Sequence, residues 1–288
     1  MKKTMKTKKI LAPIAVAGAA LVLVLGLAAC GGKPVEVAGS AEKGGGGKDT
    51  SADISTLTVG FDQSYPPYGY VGDDGEFTGF DLDLATEVAK RNGWDVKLEA
   101  IDWDAKDSLL NSGAINCIWN GFTMEGREDD YTFSDPYMLN AQVIVVRKDS
   151  GIESFDDLAG KTVITQTDSA AQDVLEGDQA DLAGTFAALE IIGEYNTAFM
   201  QLESGAVDAV ACDLSIAQYQ LAGNGDKYVQ LDEQLSTENY AVGFKKGDEA
   251  LADKVTETLK ALNDEGFIEK LCDKYADMGI SYENWQIK

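Results

Sequence analysis

Histidine is absent from all 288 residues of the chain. Ser-His-Asp and Cys-His catalysis therefore have no imidazole base to work with, and a zinc site could not use imidazole either. Cations are scarce: 24 Lys and Arg stand against 49 Asp and Glu, a formal charge of −25. That balance excludes a nucleic-acid partner, because phosphate contacts need a surplus of positive side chains on the binding face. Cysteine is sparse, four residues without a Cys-x-x-Cys pair, so no metal site is expected of them. Cys117 and Cys212 sit in short apolar runs and read as small hydrophobes. No Walker A motif and no internal repeat of fixed period are present, so any energy from ATP must come from another chain. What remains is carboxylate chemistry, hydroxyl or thiol chemistry with another base, or binding alone. With 44% hydrophobic and 25% charged residues the composition is globular. The length allows two domains that share roughly 230 folded residues.

The N-terminus carries Lys2, Lys3, Lys6, Lys8 and Lys9, then an apolar run from Ile10 to Ala29, then Cys30 followed by two glycines. A basic segment, a hydrophobic segment and the tetrad Leu27-Ala28-Ala29-Cys30 resemble a lipoprotein signal peptide over residues 1–29. A membrane-spanning anchor is the rival reading, since about twenty apolar residues can cross a bilayer. Glycine after the run, in place of a basic stop-transfer flank, favours lipidation of Cys30. Cleavage there removes the five lysines and no acid, which leaves 19 basic groups against 49 acidic ones. Residues 30–53, with Gly44 to Gly47 and almost nothing large and apolar, read as a tether between a membrane and the folded body.

From residue 54 onward, short strands alternate with helices. Strands are expected at Leu57–Phe61, Val96–Ile101, Ile115–Trp119, Gln142–Arg147, Thr162–Ile164, Ala188–Ile191, Asp208–Cys212 and Tyr240–Phe244. In the segment Phe80–Arg91 the apolar residues Phe80, Leu84 and Val88 recur at i, i+4 and i+8, a single helix face that Asn92-Gly93 terminates. Further helices are expected at Asp107–Leu110, Ser169–Leu175, Thr197–Ser204, Glu249–Leu262 and Phe267–Tyr275, and Ser154 with Asp157 reads as a helix cap. Alternation of this kind implies α/β domains with largely parallel sheets, whose ligands gather at the carboxyl ends of the strands.

Four segments carry a resemblance. Gly75 and Gly79-Phe80-Asp81 with Asp83-Leu84 are similar to a G-x-x-x-G-F-D-x-D-L pattern. Asn120-Gly121-Phe122-Thr123 with Arg127, then Phe133-Ser134-Asp135-Pro136-Tyr137, form the second match. Gln166-Thr167-Asp168-Ser169 and Asp208 to Asp213 supply the others. In this order they resemble the polar amino-acid-binding proteins of bacterial ABC importers, extracellular solute-binding proteins of family 3, over about residues 55 to 285. The resemblance implies a two-lobed, periplasmic-binding-protein-like class II fold, each lobe a mainly parallel sheet flanked by helices, joined by a two-strand hinge. Residues 54–146 plus 238–288 would form lobe 1, and residues 147–237 lobe 2. The resemblance also implies a monomer outside the cytoplasm, held to the bacterial membrane by its lipid. Its partners would be a free polar amino acid and an ABC permease with its cytoplasmic ATPase, with no cofactor and no catalysis.

A free amino acid is a zwitterion, and a site that takes it out of water must supply a countercharge at each end. Arg127, whose planar fork can grip two oxygens, is the candidate for the carboxylate, and Asp213 for the ammonium. Ser169 and Ala170 begin a helix and offer backbone N–H groups to the carboxylate. Thr123 can add its hydroxyl or amide, and the resemblance implies a backbone carbonyl near Gly121 for the ammonium. Tyr65, Tyr68 and Trp103 resemble the family's stacking positions. Asp62 could receive a cationic side chain, and Asn120 an amide or hydroxyl. Taken singly, Arg127 beside Glu125, Glu128 and Asp129 reads as a surface ion pair, Asp213 as a helix cap and Trp103 as core. Asp168 stands where the pattern has glycine. The alternative functions are an extracytoplasmic enzyme on the same fold, such as a cyclohexadienyl dehydratase, and a sensory or adhesive domain.

Overall fold

The computed structural model describes residues 54–288. The expected signal peptide (1–29), Cys30 and the linker (30–53) lie outside them. In chain order the strands are β1 (Thr56–Phe61), β2 (Ser64–Tyr65), β3 (Gly69–Val71), β4 (Phe77–Thr78), β5 (Asp95–Ala100), β6 (Cys117–Ile118), β7 (Tyr131–Phe133), β8 (Met138–Arg147), β9 (Thr162–Gln166), β10 (Ala188–Ile192), β11 (Ala209–Asp213), β12 (Tyr228–Tyr240) and β13 (Gly243–Lys245). The α-helices are α1 (Phe80–Asn92), α2 (Lys106–Ser112), α3 (Ala170–Glu176), α4 (Ala180–Ala183), α5 (Tyr195–Ser204), α6 (Leu214–Asn224), α7 (Glu249–Asp264) and α8 (Phe267–Lys274).

Two five-stranded sheets organise the two-lobed body. The first has the order β5-β1-β6-β13-β7, the second β10-β9-β11-β8-β12. Each is parallel across its first three strands and antiparallel across the remainder. Strand β11 is buried along its whole length, which accounts for its unbroken apolar run of Ala, Val and Cys before Asp213. Helix α1 buries Phe80, Leu84 and Val88 as their spacing predicts. Gly93 closes that helix at φ 71°, returning its N–H to the carbonyls of Ala89 and Lys90. Cys117, Cys212 and Cys272 are buried free thiols. No helix among the described residues is long and apolar enough to cross a membrane.

The strands differ from the sequence reading where they leave the cores. The strand expected at Gln142 begins at Met138, and its partner β12 runs from Tyr228 to Tyr240, a length the sequence did not suggest. The strand expected at Tyr240–Phe244 is divided: Tyr240 ends β12 in the second sheet, and Gly243–Lys245 joins the first. Strand β8 is buried on both faces from Asn140 to Val146, and β12 is broken by register shifts between Gln230 and Ser236, so neither shows a steady period of two.

Candidate functional site

One cavity is lined by Tyr65, Trp103, Asn120, Gly121, Phe122, Thr123 and Arg127 together with Gln166, Ser169, Ala170 and Asp213. Nine of the eleven residues expected to bind ligand therefore meet there. Its free volume is about 20 Å³.

Asp62 instead lines an adjoining chamber of about 380 Å³, with Gln63, Asp102, Trp103, Asp104, Thr167 and Glu194 among its walls. Its carboxylate accepts from Gln166 Nε2 at 2.8 Å and from the Ser64 amide at 2.7 Å. Burial, with Glu194 and Asp102 adding to it, raises its pKa against those hydrogen bonds. Tyr68 does not line the cavity either. Its ring stands edge-on to Tyr240 and Phe80, centroids 5.2 and 6.1 Å away, and is a buried support beneath the site. A Tyr-Pro-Pro-Tyr sequence says that two rings sit near a turn, but not which of them faces the cleft. Phe122 and Gln166 line the cavity without having been singled out; both lie inside the matched segments, between or beside residues that were.

Gly121 is fixed from behind. Its N–H donates to Asp81 Oδ2 at 2.6 Å, and Tyr137 OH donates to the same oxygen at 2.7 Å. Asp81 is wholly buried, and desolvation pushes its pKa up to about 7 against those two bonds. At φ 57°, with a Cβ that would come within 3.0 Å of the Tyr240 ring, position 121 requires glycine on both grounds. Gly79 has a similar reason: a Cβ there would fall 2.1 Å from the Tyr68 carbonyl oxygen. The Gly-Phe-Asp segment thus packs one residue against the turn, buries the next and ties the third to the cavity wall.

Arg127 is 12% exposed at its side chain and is not paired with Glu125, Glu128 or Asp129. Its Nη2 reaches Asp173 Oδ2 at 2.8 Å and the Asp168 carbonyl at 3.1 Å; Nη1 reaches the Thr123 carbonyl at 3.3 Å. The guanidinium stands 5.0 Å over the Phe122 ring. Trp103 Nε1 donates to the same Asp168 carbonyl at 3.3 Å, and Lys106 Nζ meets the Asp168 carboxylate at 3.3 Å. Asp168 has φ 51°, the left-handed region expected of the glycine it replaces. The side chains of Trp103, Lys106 and Arg127 converge on it. Next to it, Ser169 caps α3 by accepting from the Gln172 amide at 3.2 Å.

Asp213 occupies the N-cap position of α6, but its side chain makes no capping bond. Its Oδ1 accepts from Asn140 at 3.0 Å, from Gln142 at 2.7 Å and from Tyr240 OH at 2.7 Å. The Thr123 hydroxyl, expected to face a ligand, donates to Glu238 Oε1 at 2.9 Å. Glu238 also accepts from Asn140 and Gln142, at 2.8 and 2.7 Å. Desolvation, with the Asp213 charge adding to it, raises the Glu238 pKa to about 7.

Comparison with known proteins identifies the family. A family model described as bacterial extracellular solute-binding proteins, family 3, matches residues 57–278. The chain is 30% identical to the L-cystine-binding protein TcyA of Bacillus subtilis, covering 91% of this chain and 96% of that one. It is also 30% identical to the arginine-binding extracellular protein ArtP of the same organism, covering 88% and 96%. Among solved structures, the substrate-binding protein of an ABC uptake transporter from Streptococcus pneumoniae with bound histidine superposes with a TM-score of 0.75. There the identity is 33%, with 79% of this chain and 95% of that one covered. These relatives bear the names of binding proteins, not of enzymes.

Proposed function

The chain belongs to the bacterial extracellular solute-binding proteins of family 3, and from that premise we propose that it captures a free amino acid with a cationic side chain and hands it to an ABC permease. It is a binding protein and not an enzyme. The observation that carries the reading is the meeting of Arg127 and Asp213 at one cavity from different lobes. A ligand's carboxylate binds Arg127 and the backbone N–H groups of Ser169 and Ala170. Its ammonium binds Asp213 and the carbonyl of Gly121, which Asp81 holds in place. The side chain runs past Tyr65 and Trp103 into the chamber where Asp62, Asp102, Asp104 and Glu194 converge. Four carboxylates around one opening favour a positive tip by Coulomb attraction. TcyA and ArtP are named for cystine and arginine, and the acidic chamber favours a solute of the second kind.

Lobe 1 then comprises residues 54–146 and 238–288, lobe 2 residues 147–237, and β8 with β12 form the hinge. Contact of one ligand with both lobes favours the closed arrangement. Lipid on Cys30 and the segment to residue 53 tether the body to the outer face of a bacterial membrane. A calorimetric screen of the twenty amino acids plus cystine and ornithine tests the reading, with arginine, lysine or ornithine expected to bind most tightly. A screen without any heat of binding, or with an acidic amino acid as the tightest ligand, contradicts it.

A further inference from the structure

Glu238 is a buried acid that the clasp described above does not use. It lies on β12 directly opposite Asn140 of β8, at the crossing strands, and is 3% exposed. The amides of Asn140 and Gln142 each donate to Glu238 Oε1 and to Asp213 Oδ1. Two carboxylates are thereby held to the same pair of donors. Among the described residues no Lys or Arg forms an ion pair with either acid. The other ionisable groups around them do not relieve this. Tyr240 donates to Asp213, while Glu125, Asp173 and Asp178 line the crevice of about 410 Å³ on the far side of Glu238. Arg127, one turn of chain from Thr123, is engaged with Asp173.

Like charges this close in a medium of low dielectric cannot both stay ionised unless a cation joins them. The only positive group that reaches Asp213 in the proposed complex is the ligand's own ammonium. We propose that Glu238 is the second acid of the ammonium subsite and that it releases its proton to solvent when an amino acid's ammonium settles against Asp213. The deeper acid then supplies negative charge only when the ligand is in place, and capture becomes coupled to proton release. Thr123 of the first lobe donates to the same Glu238 oxygen, so the proton's departure also strengthens a hydrogen bond between the hinge and the lobe that carries Arg127. Binding consequently tightens as pH rises through neutrality, by up to about tenfold in Kd per pH unit where one whole proton is released. It weakens again once the ligand's amine deprotonates.

The inference rests on the amino-acid reading, and a two-armed experiment separates their failures. In the first arm, L-arginine is titrated calorimetrically into the protein at pH 7 in buffers of unlike ionisation enthalpy. The wild type is expected to release a substantial fraction of a proton, and Glu238→Gln to bind arginine with almost none. Binding without proton release, or with the same release in Glu238→Gln, overturns the proposal. The second arm needs no ligand: carboxyl-carbon resonances of the labelled protein are followed from pH 5 to 9. A resonance titrating near neutrality that vanishes in Glu238→Gln and persists in Asp81→Asn supports it, and its absence from the wild type overturns it. Should arginine give no heat at all, the choice of ligand fails while the second arm still decides the fate of Glu238.

Discussion

The two charged corners of the cavity are built in opposite ways. Around Arg127 the charges are paired and partly wet: the guanidinium holds Asp173, whose own side chain is 63% exposed, and shares the Asp168 carbonyl with Trp103. Around Asp213 they are dry and unbalanced. Two acids accept from neutral donors only, and no cation reaches them from the described residues. The first corner is stable with or without a ligand's carboxylate, since water screens what the ion pair leaves over. The second is held by hydrogen bonds against its own repulsion. On the proposed reading a ligand does more for the acidic corner than for the basic one, and most of the selectivity for a positive nitrogen would reside there.

The largest expected effect follows from that difference. Asp213→Ala removes the acid that lines the cavity and leaves a ligand's ammonium only the deeper Glu238, for a loss of several kcal/mol in arginine affinity by calorimetry. Arg127→Ala should cost less, about 2–3 kcal/mol, because the position is nearer to solvent and the backbone donors of Ser169 and Ala170 remain. Equal losses in the two variants would erase the contrast between the corners.

A third test concerns the support behind the wall. Asp81 holds its proton up to about pH 7, against an ordinary value of 3.8, so the folded protein binds that proton more tightly than the unfolded chain does. Its contribution to stability is full below about pH 4 and is lost as pH rises through about 7. Asp81→Asn, which keeps an oxygen acceptor for Gly121 and Tyr137, should flatten this fall in denaturant-measured stability between pH 4 and 8, by on the order of a few kcal/mol. An unchanged slope would mean that Asp81 does not titrate in this window. The smallest effect belongs to Asp173. Its carboxylate competes with a ligand's for Arg127, and Asp173→Asn should tighten arginine binding by about 0.5–1 kcal/mol at low salt, with the gain fading as salt is added. Weaker binding in that variant would show that Asp173 serves the closed state more than it obstructs the ligand.

What the sequence disclosed depended on how local the physics was. Helix α1 was legible because its apolar face repeats within one element and Gly93 ends it. The Asn120-Gly121-Phe122-Thr123 segment was legible through its likeness to a family pattern, and the positive φ and close approach at its glycine give that pattern a physical reason. Strand β12 was not, since its register shifts between Gln230 and Ser236 break any steady alternation of buried residues. Tyr68 was placed in the binding set because it resembles a family stacking position; only the packing of Phe80 and Tyr240 around it shows that it lies behind the cavity wall. Glu238 gave no signal at all. Its three donors lie 96 to 115 residues away, and a lone acid in a polar strand looks like an exposed one. Asp213 was singled out from chemistry and does line the cavity, but its neighbour across the amides was visible only in three dimensions.

The most direct measurement pairs the site variants with trimmed ligands. Arginine, its analogue without the α-amino group (5-guanidinopentanoate) and its decarboxylated analogue (agmatine) are each titrated into the wild type, Asp213→Asn and Arg127→Ala. If each charge is met by its assigned partner, Asp213→Asn loses affinity for arginine but hardly for the analogue lacking the α-amine, and Arg127→Ala loses affinity for arginine but hardly for agmatine. Losses that are the same whichever charge the ligand lacks would contradict the assignment.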